Sequence, residues 1–135
     1  MPCPFFEPVC VVTDRTHQGA RLPLIDEYEG RCRAAVEPIT VPVDLRFRAC
    51  NHGYSRQLCG FFPPAEVRSS IRFNVVGLDG EIMELLCIEE REYAPHRWTR
   101  FRYCIHTGSV DPGIADVCAQ AQLVAFCRSY LKRFA

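Results

Sequence analysis

Ile71-Arg72-Phe73-Asn74-Val75-Val76-Gly77-Leu78-Asp79-Gly80-Glu81-Ile82-Met83-Glu84-Leu85-Leu86-Cys87-Ile88-Glu89-Glu90 is the stretch that decides the fold. Its opening, Ile71 to Val75, alternates apolar and polar side chains, the period of a strand with one buried face. Asp79-Gly80 follows, a pair suited to the positive φ that a two-residue hairpin turn needs. Glu81–Glu90 reads as the return strand. With Asp79-Gly80 as the loop, Gly77 faces Ile82, Phe73 faces Leu86 and Ile71 faces Ile88. One face then carries Ile71, Phe73, Val75, Ile82, Leu86 and Ile88, with Glu84 as its misfit and Cys87 on the opposite side.

Toward the C-terminus, a third strand over roughly 97–106 follows the break at Pro95. Asp111-Pro112 has the chemistry of a helix start: an Asp side chain accepts from first-turn N–H groups, and proline suits the first helical position. The helix is expected to run to about Arg133, with Val117, Ala121, Val124, Leu131 and Phe134 as apolar positions. Lys132 and Arg133 stand at its C-terminal end, where cations suit the helix dipole. Residues 67–135 thus read as a three-stranded antiparallel meander with one C-terminal helix.

The other direction has a different grammar. Pro2, Pro4, Pro8, Pro23, Pro38, Pro42, Pro63 and Pro64 all lie in residues 1–66. Each removes a backbone donor and fixes φ, so regular structure is interrupted. Short extended pieces are expected at 9–13, 39–43 and 44–48. A segment so broken buries little apolar surface through regular layers, and a multidentate metal site is a common way to offset its chain entropy. The fold class expected is α+β. The chain is one domain of 135 residues, in which 1–66 form an irregular cysteine-rich, metal-binding lobe and 67–135 the sheet plus C-terminal helix.

Sixteen basic and sixteen acidic residues cancel, so no global field draws the chain to nucleic acid or anionic lipid. The start, Met1 to Pro8, has no basic region and no apolar run of the kind an export signal carries, and no stretch approaches the ~20 apolar residues of a spanning helix. A cytoplasmic protein without membrane contact is expected.

Nine cysteines stand out, at 3, 10, 32, 50, 59, 87, 104, 118 and 127. In a reducing compartment stable disulfides are rare, and an odd count suits a complete disulfide framework poorly. Thiolate ligands or buried thiols remain. The sequence contains no C-x-x-C, the knuckle that small structural zinc sites use, and no ferredoxin-type run. What remains is a dispersed set, each ligand on its own loop, which moves the expectation from zinc toward iron–sulfur. Cys3 is flanked by prolines. Cys32 follows the turn-like Tyr28-Glu29-Gly30-Arg31, Cys50 opens Cys50-Asn51-His52-Gly53-Tyr54, and Cys59 precedes Gly60. Glycine and turn residues let backbone N–H groups approach sulfur. Cys3, Cys32, Cys50 and Cys59 are therefore the candidate ligands. Cys10, within Val9-Cys10-Val11-Val12, reads as a strand interior and is a substitute, as is His52. Cys87, Cys104, Cys118 and Cys127 read as core residues of the regular half.

The elements Cys3-x2-Phe6-x-Pro8, Arg21-Leu22-Pro23-Leu24 leading to Tyr28-x-Gly30-x-Cys32, Cys50-Asn51-x-Gly53-Tyr54 and Cys59 together resemble small uncharacterised bacterial proteins with four dispersed cysteines. The resemblance covers mainly residues 3–62. It implies a four-cysteine site holding an iron–sulfur cluster of the 4Fe-4S kind, with Cys10 extra to the pattern.

His17, His96 and His106 stand in unlike contexts, and nothing pairs a particular cysteine with a particular histidine for nucleophilic catalysis. Arg91, Arg97, Trp98, Arg100, Phe101, Arg102 and Tyr103 could stack bases and contact phosphates. The competing reading is a sheet strand in which Trp98 caps the core and Glu89, Glu90 and Glu92 neutralise the charge, and zero net charge favours it. Three functions follow in order: a small iron–sulfur protein serving electron transfer, redox sensing or structural support, with a protein partner; a zinc-stabilised module binding protein or nucleic acid; and an enzyme with a cysteine nucleophile.

Overall fold

The hairpin forms, in a register different from the one its Asp79-Gly80 pair implies. In the computed structural model, which describes residues 2–13, 17, 19–55 and 58–134, strand β4 (Arg68–Asp79) pairs antiparallel with β5 (Ile82–Arg91). Asp79 is opposite Ile82, so the loop is Gly80-Glu81, with Gly80 at φ 60°. An irregularity between Val75 and Gly77 then slips the pairing, and Phe73 meets Cys87 while Ile71 meets Glu89. Because side chains alternate with period two, a one-residue slip exchanges the faces of a strand. Met83 and Leu85, both 0% exposed, join Ile71 and Phe73 in the core. Ile82 and Leu86 are only half-buried on the other side, and Glu84 sits there too, so it is no misfit. Cys87 lies on the core side, opposite Phe73, rather than facing away.

The third strand, β6 (Ala94–Cys104), starts earlier than expected, and a short fourth strand, β7 (Val110–Asp111), completes this sheet in the order β4-β5-β6-β7. Asp111 therefore ends a strand rather than opening a helix. The C-terminal helix α2 spans Val117–Phe134. Its first turn is capped by a different aspartate: Asp116 Oδ1 accepts from the N–H of Ala119 at 3.0 Å, the usual N-cap contact. The buried face is also rotated from the expected one. Ala119, Gln122, Leu123, Phe126 and Cys127 point inward, while Val117 and Phe134 are 51% and 66% exposed. Small residues on that face let the helix axis approach the sheets closely, an advantage that aliphatic spacing alone does not reveal.

A second antiparallel sheet occupies the N-terminal half: β1 (Phe6–Val11), β2 (Tyr28–Cys32) and β3 (Ile39–Thr40), in that order. The fold is α+β with two sheets, of three and four strands, rather than a single three-stranded meander beside an irregular lobe. The stretches expected to be extended at 9–13 and 39–43 each overlap a strand. The one at 44–48 is helical. Pro42 precedes helix α1 (Val43–Leu45), which runs into a π-helical segment, Arg46–Asn51, and Asp44 and Arg48 pair one turn apart at 2.7 Å, as helical spacing favours. Tyr28–Arg31 is strand rather than turn, and Gly30 has a steric role there. A Cβ at that position would lie 2.1 Å from the carbonyl oxygen of Glu7 on β1.

One cluster of buried side chains draws on both halves: Cys3, Phe6, Leu24 and Tyr28 from the first, and Phe73, Met83, Leu85 and Phe101 from the second. Helix α2, packed mainly on β1, adds Leu123 and Phe126. The Tyr28 hydroxyl donates to the carbonyl of Ala125 at 2.9 Å. Buried Asp26 accepts from Ser129 and Arg133 of α2. Among the described residues, no helix is long and apolar enough to cross a membrane.

Candidate metal centre

Four separate pieces of backbone bring Cys3, Cys32, Cys50 and Cys59 to the wall of one cavity. No knuckle is needed because each cysteine has its own support. Cys32 ends β2, paired with Phe6 on one side and Ile39 on the other. Cys50 lies in the π-helical segment, a distortion often found where a helix must aim a functional group. Asn51, 1% exposed, ties that segment to β2: its Oδ1 accepts from the N–H of Tyr28 at 2.9 Å and its Nδ2 donates to the Tyr28 carbonyl at 3.1 Å. Gly53 and Tyr54 then take φ of 84° and 56° to turn the chain away.

Cys3 is held by its backbone. Its N–H donates to the carbonyl of Cys50 at 3.0 Å. Its own carbonyl accepts from the N–H of Phe6 and from Gln122 Nε2, the latter at 2.7 Å. Gln122 reaches in from α2, 0% exposed, and also donates to the carbonyl of Phe6 at 2.8 Å. Cys59 sits on a turn whose N–H donates to Ser55 O at 2.8 Å and whose carbonyl accepts from Phe62 N–H at 3.2 Å.

The remaining walls are apolar: Phe5, Phe6, Phe61, Phe62, Val41 and Ala34, with the hydroxyl of Ser55 alongside. Phe5 and Phe62 meet edge to face at 5.7 Å between ring centres, and the Arg68 guanidinium lies over the Phe5 ring at 5.7 Å. The enclosed space is about 10 Å³, room for roughly one water-sized body. Among the described residues, no group of three or more His, Cys, Asp or Glu side chains has the arrangement of an ion site. The thiols border a shared space rather than closing on a point.

Electrostatics follow from burial. The Cys50 thiol is pushed up to about 12, first by desolvation and then by the neighbouring sulfurs of Cys3, Cys32 and Cys59, with Arg46 opposing. Cys3 is pushed up to about 11 by burial, against the pull of the Phe5 N–H and the Ser55 hydroxyl. Cys32 rises for the same reason, opposed by the N–H of Ala34. In both Cys3 and Cys32 the amide two residues on points at sulfur, the contact that orients and tunes thiolate ligands. At neutral pH these are protonated thiols. Holding several as thiolates in this apolar setting requires a cation, because uncompensated buried charge is costly.

The substitutes lie elsewhere. Cys10 is exposed on β1, its thiol donating to Glu29 Oε2 at 3.4 Å. His52 Nδ1 contacts the Phe47 carbonyl at 2.6 Å and its ring sits edge-on to Phe47. His17 stacks on Phe47 and pairs with Glu27, His106 pairs with Glu81, and His96 is exposed. Cys118 and Cys127 are buried and Cys87 is partly buried at the core, with all three thiols pushed up to about 12 by desolvation. Cys104 shifts the other way, lowered by the Thr107 hydroxyl and the N–H groups of Thr107 and His106.

Sequence reasoning missed Gln122, Ser55 and the phenylalanine wall. The visible signal was a glutamine among the small residues of a helix, a position that is buried only when its amide has work to do. The Arg91–Tyr103 segment divides between two faces. Phe101 and Tyr103 are buried in the core, while Trp98, 69% exposed, stands on the outer face with Arg100 and Arg102, opposite Ile88 rather than over the main core. Glu84 pairs with both arginines, at 3.4 and 3.3 Å. Comparison with known protein families, with curated proteins and with solved structures finds no match to this chain.

Proposed function

We propose that this protein binds an iron–sulfur cluster through the thiolates of Cys3, Cys32, Cys50 and Cys59. The observation that carries the reading is the meeting of four cysteines, dispersed over residues 3–59, on the wall of one apolar, phenylalanine-lined cavity. Four thiolates are the usual ligand set of such clusters, the 4Fe-4S kind included. When bound, the cluster supplies one-electron redox chemistry. The chain's residues hold the ligands in place, exclude water with Phe5, Phe6 and Phe62, and direct the N–H groups of Phe5 and Ala34 at sulfur. Those features fit electron transfer, redox sensing or structural support in a reducing compartment, with a protein as partner.

A single zinc ion is the second reading, favoured by the small enclosed space of about 10 Å³. One ion would need the four sulfurs drawn inward to Zn–S distances of about 2.3 Å. At this cavity a nucleophilic role for Cys3, Cys32 or Cys50 is disfavoured, since buried thiols with raised pKa are inert and the lining includes no histidine among the described residues.

Purification without oxygen followed by metal and sulfide analysis tests the proposal. Bound iron with acid-labile sulfide and a brown colour supports the cluster. A colourless protein with one zinc per chain favours the second reading, and a metal-free protein that cannot be reconstituted with either removes both.

A further inference from the structure

The four cysteines are not equivalent. Cys3, Cys32 and Cys50 are 7%, 7% and 6% exposed. Each is built into the body of the fold: Cys32 by strand pairing on both sides, Cys50 by the π-helical segment that Asn51 anchors, and Cys3 by the Cys50 carbonyl and Gln122. Cys59 is half-buried on a turn. Its neighbours face solvent: Leu58 is 50% exposed, Gly60 is exposed and Phe61 is 53% exposed. Three of the four thiols thus lie in the buried body of the fold, and the fourth lies at the cavity's exposed edge.

We infer that the metal centre is a three-plus-one site: Cys3, Cys32 and Cys50 form a fixed platform, and Cys59 is an exchangeable ligand that a small soluble thiol replaces. The inference rests on the metal-binding reading above. The exchange is R–SH + Cys59–S–metal → R–S–metal + Cys59–SH. The incoming thiol loses its proton as its sulfur binds the metal, and Cys59 gains a proton as its own bond breaks, so charge and oxidation state are unchanged. A thiol is the matching class of ligand because soft metals held by thiolates prefer another thiolate. Phe61, which lines the cavity beside Cys59 and is 53% exposed, offers apolar surface there, which suits a small uncharged thiol better than a carboxylate.

Cobalt(II) serves as the probe, since its thiolate charge-transfer absorption scales with the number of bound sulfurs and its d–d bands report tetrahedral geometry. The full chain and its Cys59→Ser and Cys50→Ser variants are titrated without oxygen. Cys59→Ser is expected to bind within about tenfold of the unsubstituted chain, with roughly a quarter less charge-transfer intensity, recovered on adding 2-mercaptoethanol. Cys50→Ser is expected to lose binding by a hundredfold or more. Equal loss in both variants, or no recovery with the added thiol, overturns the three-plus-one assignment while leaving the metal site intact. Failure of the unsubstituted chain to bind cobalt or iron overturns the site itself. Circular dichroism of each variant guards against unfolding: if Cys50→Ser is unfolded, Cys32→Ala takes its place and must show the same loss.

Discussion

The N–H of Cys3 donates to the carbonyl of Cys50 at 3.0 Å. That single backbone contact joins the turn at Cys3 to the π-helical segment and holds the backbones of two cavity cysteines together. It does so without any side chain, so its effect on the site is invisible to a reading of ligand spacing.

Gln122 should matter as much as a ligand for holding Cys3. Its amide donates to the carbonyls of Cys3 and Phe6 at 2.7 and 2.8 Å in a fully buried position. Gln122→Ala takes one donor from each of two buried carbonyls, of which that of Cys3 keeps the Phe6 N–H, at a cost of about 1–3 kcal/mol. Urea denaturation should show that loss, and metal retention should fall in step because the Cys3 turn is freed.

Gly30→Ala tests the packing of β1 on β2. The added methyl would meet the Glu7 carbonyl at 2.1 Å and the Phe6 ring at 2.8 Å, and backbone cannot yield as a side-chain end can. A loss of about 3 kcal/mol or more is expected, at the severe end for one substitution. Thermal denaturation measures it, and the Cys3–Cys32 approach should fail with it.

The raised thiols set a pH dependence for the metal-free chain. Folded pKa values lie above the ordinary 9.0, at about 11 for Cys3 and about 12 for Cys50, Cys118 and Cys127. Above pH 9 the unfolded chain loses these protons while the folded chain keeps them, so stability falls as pH rises through 9 toward 12. Below pH 9 these groups contribute their full stabilisation and no slope. Denaturation at pH 7, 8.5 and 10.5 checks this: a flat response up to 10.5 would contradict the burial of the thiols. Metal binding has the opposite dependence. It displaces protons from the ligands, so affinity should climb with pH from 6 to 8.

Two substitutions on neighbouring strands report the register. Met83→Ala, at 0% exposure, should cost about 2–5 kcal/mol, whereas Trp98→Ala, on the exposed outer face, should stay within about 0.5 kcal/mol. The Asp79-Gly80 register would place Met83 outside and make it the tolerant site.

The contrast between these positions shows what the sequence could convey. Alternation around Ile71–Val75 and the glycine of the turn were enough to identify a hairpin. The irregularity at Val75–Gly77 then moved every later pair, and nothing in the local pattern marks a bulge that long-range packing selects. The helix was legible in existence and end, but not in phase, because most of its buried face is small or polar, with Cys118, Ala119, Gln122, Ala125, Cys127 and Ser129 around Leu123 and Phe126. At the site, turn chemistry singled out Cys3, Cys32, Cys50 and Cys59, and the same four line the cavity. Cys32 reached it by another route, at the end of a strand. Gln122 and Ser55 were out of reach because their roles depend on contacts made across the whole chain.

The most direct test of the account is metal content across a set of single variants, each purified without oxygen. Iron and sulfide, or zinc, should be present in the unsubstituted chain and in Cys10→Ser, and sharply reduced in Cys3→Ser, Cys32→Ser and Cys50→Ser. Metal content that is unaffected by these three substitutions, or no metal in the unsubstituted chain even after reconstitution, would contradict a four-cysteine centre.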